Sequence, residues 1–217
     1  NLNVKMLLSH AGFSVGKDGK SAQSFEHIGL WRLLPNMRVI VPADYNEAKA
    51  AIHYAAETQG PFVIFASREN FPQLYDEVQF EAGRARVHSI GSDVTIVSCG
   101  LMVYFALEAA RILEKEGISV GVINMASVKP IDEVVLLSAA ESSGAIVVAE
   151  EHSKIGGLTG AVCEYLSQYY PVPVETVSIN DAFGTSGDCD EVLARYGLTP
   201  QGIVSAVGRV HARKQEK

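Results

Sequence analysis

His10, Asp18 and Arg68 are the residues of this sequence whose types and places best fit a ligand site. His10 follows an apolar run, Val4 to Ser9, that reads as a buried strand. Asp18 stands in the loop after it, rich in Gly and Lys, with Lys17, Lys20, Gln23 and Glu26 close by. Arg68 lies just past a third strand, Phe62 to Ala66. If these strands run parallel, all three residues sit at carboxyl ends on one sheet edge, where open α/β sheets bind ligands. Arg68 offers a planar fork for phosphate or carboxylate. His10 can donate to an anion or move a proton near neutral pH, and Asp18 can accept from hydroxyls. The set suits a phosphorylated polyol or sugar. The competing reading pairs Arg68 with Glu69 or Asp76 and leaves His10 as the satisfied end of a strand.

The second half offers a weaker constellation. Glu150-Glu151-His152 follows a strand and precedes Gly156-Gly157-x-x-Gly160. Glycines before a helix can bring backbone N–H groups onto an anion, but the spacing is not G-x-G-x-x-G, and packing of the loop on the sheet is the expected role. In an extended chain Glu150 and Glu151 point to opposite faces, a poor acid/base dyad. Asn180 to Gly187 reads as a structural, turn-rich loop. Cys99, Cys163 and Cys189 are odd in number and show no C-x-x-C spacing, so neither a disulfide framework nor a zinc site is indicated. They are expected to be buried, inert thiols in a reducing, cytoplasmic setting.

The elements that must position these residues alternate. After the first strand, a helix is expected from about Ser24 to Leu34, capped by Ser24 and ended by Pro35-Asn36, then a strand at Arg38 to Val41. Asp44 and Glu47 have capping-box spacing. Ala48, Ala51, Ile52 and Ala55 share one helix face ahead of Gly60-Pro61. A second series begins at Asp93: strands at Val94–Ser98, Ser119–Asn124, Ala145–Ala149 and Val174–Ile179, separated by helices. Thr199-Pro200 opens the last helix. The fold class is therefore α/β, as two three-layer α/β/α domains with mostly parallel sheets. Residues 1–69 form the first domain, 70–92 a linker, and 93–217 the second. The chain begins with Asn inside what looks like a strand, so the first domain reads as truncated at its N-terminus and the chain as part of something longer. A net charge of −7 argues against a general nucleic-acid surface. No apolar run approaches the ~18 residues of a membrane helix. The basic tail from Arg209 to Lys217 reads as a frayed, solvated end.

Three ordered motifs carry a family resemblance: S-H-A-G-x-x-x-G-x-D-G-x-S from Ser9 to Ser21, L-P-N-M-x-V-I-x-P-A-D from Leu34 to Asp44, and S-R-E-N-x-P from Ser67 to Pro72. Together they resemble the second half of the transketolase pyrimidine-binding domain. The block from Asp93 on, with Ser98-Cys99-Gly100, Glu150-Glu151-His152 and D-x-F-G-x-S-G from Asp181 to Gly187, is similar to the transketolase C-terminal domain. The resemblance implies transfer of a two-carbon ketol unit from a ketose phosphate to an aldose phosphate. Thiamine diphosphate with a divalent metal, Mg²⁺ or Ca²⁺, supplies the carbanion chemistry in the complete enzyme. It also implies that His10 and Arg68 bind the substrate phosphate and that Asp18 bonds a substrate hydroxyl.

Where most of the family has His after the Ser or Thr of this loop, the chain has Ala22; His27 is a candidate substitute. The diphosphate-binding domain and the glutamate that activates the cofactor are not among the motifs found, so this chain alone is expected not to bind cofactor and metal or to react. The partners implied are a second copy, in a homodimer, or the missing N-terminal portion. Split two-chain transketolases exist, but a natural break at Asn1 is not expected. A deoxyxylulose-phosphate synthase-like enzyme shares parts of the pattern, and a non-catalytic scaffold or regulatory partner is the reading that Ala22 favours.

Overall fold

The structure, a computed structural model, describes residues 1–215. Two sheets form. The first has four strands in the order β1 (Lys5–Leu8), β3 (Phe62–Phe65), β2 (Arg38–Ile40) and β7 (Ser127–Lys129). β1, β3 and β2 are mutually parallel, and β7 joins β2 antiparallel. The second sheet runs β4 (Arg86–Ser89), β6 (Val120–Asn124), β5 (Val94–Ser98), β8 (Ile146–Ser153) and β9 (Val174–Ile179). It is parallel except for β4. Phe62–Phe65 and Val94–Ser98 are buried along their whole length, as continuous apolar runs covered on both faces should be.

The helices are α1 (His27–Arg32), α2 (Tyr45–Glu57), α3 (Met102–Lys115), α4 (Glu133–Ser143), α5 (Leu158–Tyr169), α6 (Cys189–Arg195) and α7 (Pro200–Gln215). Asp44 Oδ1 accepts from Glu47 N at 2.8 Å, as its spacing predicts. The returning bond falls one residue earlier than in a capping box, from Ala43 N to Glu47 Oε2 at 2.7 Å. One apolar cluster draws on both sheets: Ile28, Val39, Val63 and Phe65 pack with Val97, Ile146, Val148 and Leu158.

Four expectations are corrected. Ser24 caps no helix: its backbone pairs with Gly12 in an antiparallel bridge, so the chain is still extended there and α1 starts at His27. The stretch 70–92 holds β4, which pairs with β6. The polar Arg86 and His88 face inward and Val87 outward, inverting the usual pattern and hiding the strand from sequence. The tail is not a frayed end as far as Gln215: α7 continues, Arg209 and Arg213 reach Glu175 at 3.3 and 2.6 Å, and Lys214 reaches Ser92 O at 3.1 Å. Of the three free thiols only Cys99 is buried; Cys163 and Cys189 are half-buried.

Candidate functional site

β1 and β3 are parallel neighbours, with Leu8 opposite Phe65, so the segments that leave them emerge side by side. The two exits stay stitched through Ala66 N to Leu8 O at 2.8 Å and Ala11 N to Ala66 O at 3.3 Å. One exit carries His10, at φ +63°, exposed and bonded to Ser9 Oγ at 3.0 Å. The other carries Arg68. Its Nη1 donates to Val15 O at 3.1 Å and lies 3.3 Å from Asp18 Oδ1 and 3.8 Å from Glu69 Oε1. Arg68 and Asp18 are thus in contact, with His10 on the same sheet edge. The expected pairing with Glu69 is present but longer than the one with Asp18.

The loop between His10 and Ser24 is not free. The Gly12–Ser24 bridge closes its base, and a 3₁₀ turn, Gly16–Ser21, carries Asp18. Gly19, at φ +70°, turns its carbonyl to Ala22 N and Gln23 N, both at 3.0 Å. Gln23 Nε2 donates to Thr185 O at 2.9 Å, and Lys17 pairs with Asp188 at 2.7 Å. The D-x-F-G-x-S-G loop therefore packs on the loop that bears Asp18.

His27 does not take the place of the side chain that Ala22 lacks. It is buried, edge-on to Phe65 at 4.5 Å and to His152 at 5.2 Å between ring centroids. Burial, then the neighbouring His152, lowers its pKa to about 3, so the ring is neutral. His27 is the second residue after Phe25 and starts α1, whose inner face, with Ile28, is buried against the sheet.

Glu150 and Glu151 point apart, as an extended chain requires. Glu150 is fully buried and accepts from Leu158 N at 2.6 Å and Thr159 N at 2.8 Å. The α5 N-terminus, the place the glycines offer to an anion, thus holds the chain's own carboxylate. A Cβ at Gly157 would collide with Glu150 and His152. His152 accepts from Gly29 N at Nε2, 3.1 Å, and donates from Nδ1 to Ser153 O at 2.6 Å. Glu151 turns the other way and accepts from Ser14 N. Sequence reasoning did not assign this contact. Its only sequence signal is Gly12, where a side chain would run into the Glu151 carboxylate.

The α2 and α4 N-termini are occupied by Asp44 and Asp132, and α5 by Glu150. No group of three or more His, Cys, Asp or Glu side chains among the described residues is arranged to hold a metal. No described helix is long and apolar enough to cross a membrane.

Comparison with known proteins agrees with this architecture. The profile of the transketolase C-terminal domain matches residues 83–203, and that of the transketolase pyrimidine-binding domain matches residues 1–73. A protein of Methanocaldococcus jannaschii named as a transketolase C-terminal section is 40% identical over 210 residues, covering 95% of this chain and 66% of its own. The 6-deoxy-6-sulfo-D-fructose transketolase subunit SqwH of a Clostridium species (strain MSTE9) is 38% identical, covering 98% and 66%. A solved structure titled a split gene transketolase, inactive beta4 tetramer, superposes with a TM-score of 0.92 at 46% identity, covering 98% of this chain and 68% of that one. The chain thus spans 66% of the length of each of these two curated relatives. Sheet order, motif order and these matches agree that the chain belongs to the transketolase family, with its C-terminal domain and the pyrimidine-binding domain before it.

Proposed function

We propose that this chain supplies the substrate-facing half of a thiamine-diphosphate-dependent ketol transferase, with sugar phosphates as substrates. The observation that carries the reading is the Arg68–Asp18 pair on an exposed sheet edge beside His10. An arriving phosphate would take the Arg68 fork from Asp18, with His10 as a second donor. Asp18, once released, would accept from a hydroxyl of the same sugar. One contact would thus be exchanged for two, and substrate binding would set the loop.

The cofactor and divalent metal are assigned to a partner, either a separate subunit or a further stretch of the same polypeptide. The carboxylates already seated at the α2 and α5 N-termini support that division. So does the name of a relative as a subunit, and the description of another as an inactive tetramer. On this reading the chain alone is inactive, associates as a homodimer or with its partner, and works in the cytoplasm. The test combines the chain with the diphosphate-binding part, thiamine diphosphate and Mg²⁺. Ketol transfer from a ketose phosphate to an aldose phosphate is the expected result. Pyruvate as the preferred donor, or no transfer at all, would overturn it. A 6-sulfo sugar is the informative second donor, because a sulfonate presents a similar anion to Arg68 and a relative is named for such a substrate.

A further inference from the structure

The loop that carries Asp18 is held at its base by a residue of the second sheet. From within β8, the Glu151 side chain crosses to the first domain and accepts the backbone N–H of Ser14. Ser14 N is otherwise a donor in a closed loop, and an N–H left without a partner away from water is costly. The fit is close: Gly12 takes φ +90°, and any Cβ there would strike the carboxylate. Glu151 also borders a cavity of about 30 Å³ shared with Gly12, His27, Ser67 and Cys99. One residue beyond Ser14, Val15 O accepts from Arg68. Fixing Ser14 therefore fixes the carbonyl against which Arg68 is braced. The Gly12–Ser24 bridge passes the same constraint to the far end of the loop.

We propose that Glu151 is a positioning residue: its carboxylate anchors Gly12 to Ser14 and thereby sets the separation of Asp18 and Arg68 in the substrate site. The inference rests on the preceding reading of that loop as the sugar-phosphate loop, and it gives the C-terminal domain a task in substrate binding.

The experiment compares Glu151→Gln, Glu151→Leu and Glu151→Asp in the complete enzyme, with the diphosphate-binding part present. Gln keeps an acceptor at the same reach, Leu removes it, and Asp keeps the charge but falls short by one methylene. Hydrogen exchange is followed at residues 12–24, with KM and kcat for the ketose phosphate and Kd for thiamine diphosphate. We expect Leu and Asp to lose protection at Ser14 and its neighbours and to raise KM by about tenfold, the size of one lost hydrogen bond. Kd for the cofactor should stay unchanged, and Gln should restore both protection and KM. Wild-type exchange and KM in the Asp variant would overturn the proposal, as would a Gln variant as impaired as Leu. If Leu does not fold, the Asp–Gln comparison decides alone. Exchange reads the loop without substrate. An enzyme that transfers no ketol unit would therefore refute the functional reading, while the anchor is still decided by exchange.

Discussion

The Arg68–Asp18 pair has side chains 38% and 40% exposed, so its contribution to stability is within about 1 kcal/mol, and on the proposed function its role is to be exchanged for substrate contacts. Arg68→Gln should raise KM for a phosphorylated donor by roughly ten- to a hundredfold, since an ionic hydrogen-bond pair is lost. With a donor lacking the phosphate, wild type and variant should behave alike; an equal loss on both donors would mean that Arg68 only braces Val15. Two other groups give opposite pH signatures. His27, faced by His152, is lowered to about 3, so the folded state keeps it neutral while the unfolded chain takes a proton near 6.5. Its stability term is present above 6.5 and lost as pH falls. Glu151, beside Ser14 and the thiols of Cys99 and Cys189, is raised to about 7 by burial, with the bonds from Ser14 and the Phe13 backbone opposing. Its term is present below 4.5 and lost as pH rises toward 7. Relative to wild type, His27→Leu should therefore gain about 2 kcal/mol at pH 5 over pH 7, and Glu151→Gln about 2 kcal/mol at pH 7 over pH 5. Urea midpoints at the two pH values measure this, and slopes of the same sign would refute it.

At the scale of elements, legibility in the sequence followed burial. β3 and β5 read directly because strands buried on both faces are unbroken apolar runs. β7 has three residues and no pattern to detect, and β4 turns its polar side chains inward. What makes β4 a strand is a partner set that no local window contains. Arg86 lies 4.5 Å over the Tyr75 ring, and His88 stacks on it at 5.6 Å. Tyr75 OH meets His88 Nε2 at 2.8 Å and Asn124 Nδ2 at 3.0 Å, and Asn124 also donates to Glu47, whose pKa burial raises. The site divides in the same way. His10, Asp18 and Arg68 are legible as candidates because strand ends share an edge, whereas the Glu151–Ser14 contact is not, because two adjacent glutamates look alike until one of them meets Gly12. The network gives a prediction: Tyr75→Phe leaves Asn124 and His88 short of a partner and should cost about 1–3 kcal/mol, read as a lower urea midpoint at unchanged slope. No shift would mean that the ring stacking alone holds β4.

For the whole molecule, the two sheets are coupled too closely to unfold separately. β7 leaves the second series to complete the first sheet, and from it Lys129 Nζ donates to Arg32 O and Leu34 O, at 2.7 and 2.6 Å, at the end of α1. Arg32 in turn donates to Gly156 O and Gly157 O at 2.6 and 3.1 Å, at the start of α5. Trp31, the sole tryptophan, precedes Arg32 on α1 and packs on the apolar cluster common to both sheets. Domains with few crossing contacts melt in steps, whereas a shared core makes one cooperative unit. Urea unfolding followed by Trp31 fluorescence, which reports α1 and the shared cluster, should therefore coincide with unfolding followed by far-UV circular dichroism, which weights the helices of the second series. Separate midpoints would show that the shared cluster and β7 do not unite them. Lys129→Met keeps the stem and removes the charge that caps α1. It should lower both midpoints together, because loosening α1 from β7 weakens a sheet that shares its apolar cluster with the other, and one cooperative unit cannot lose stability on one side alone.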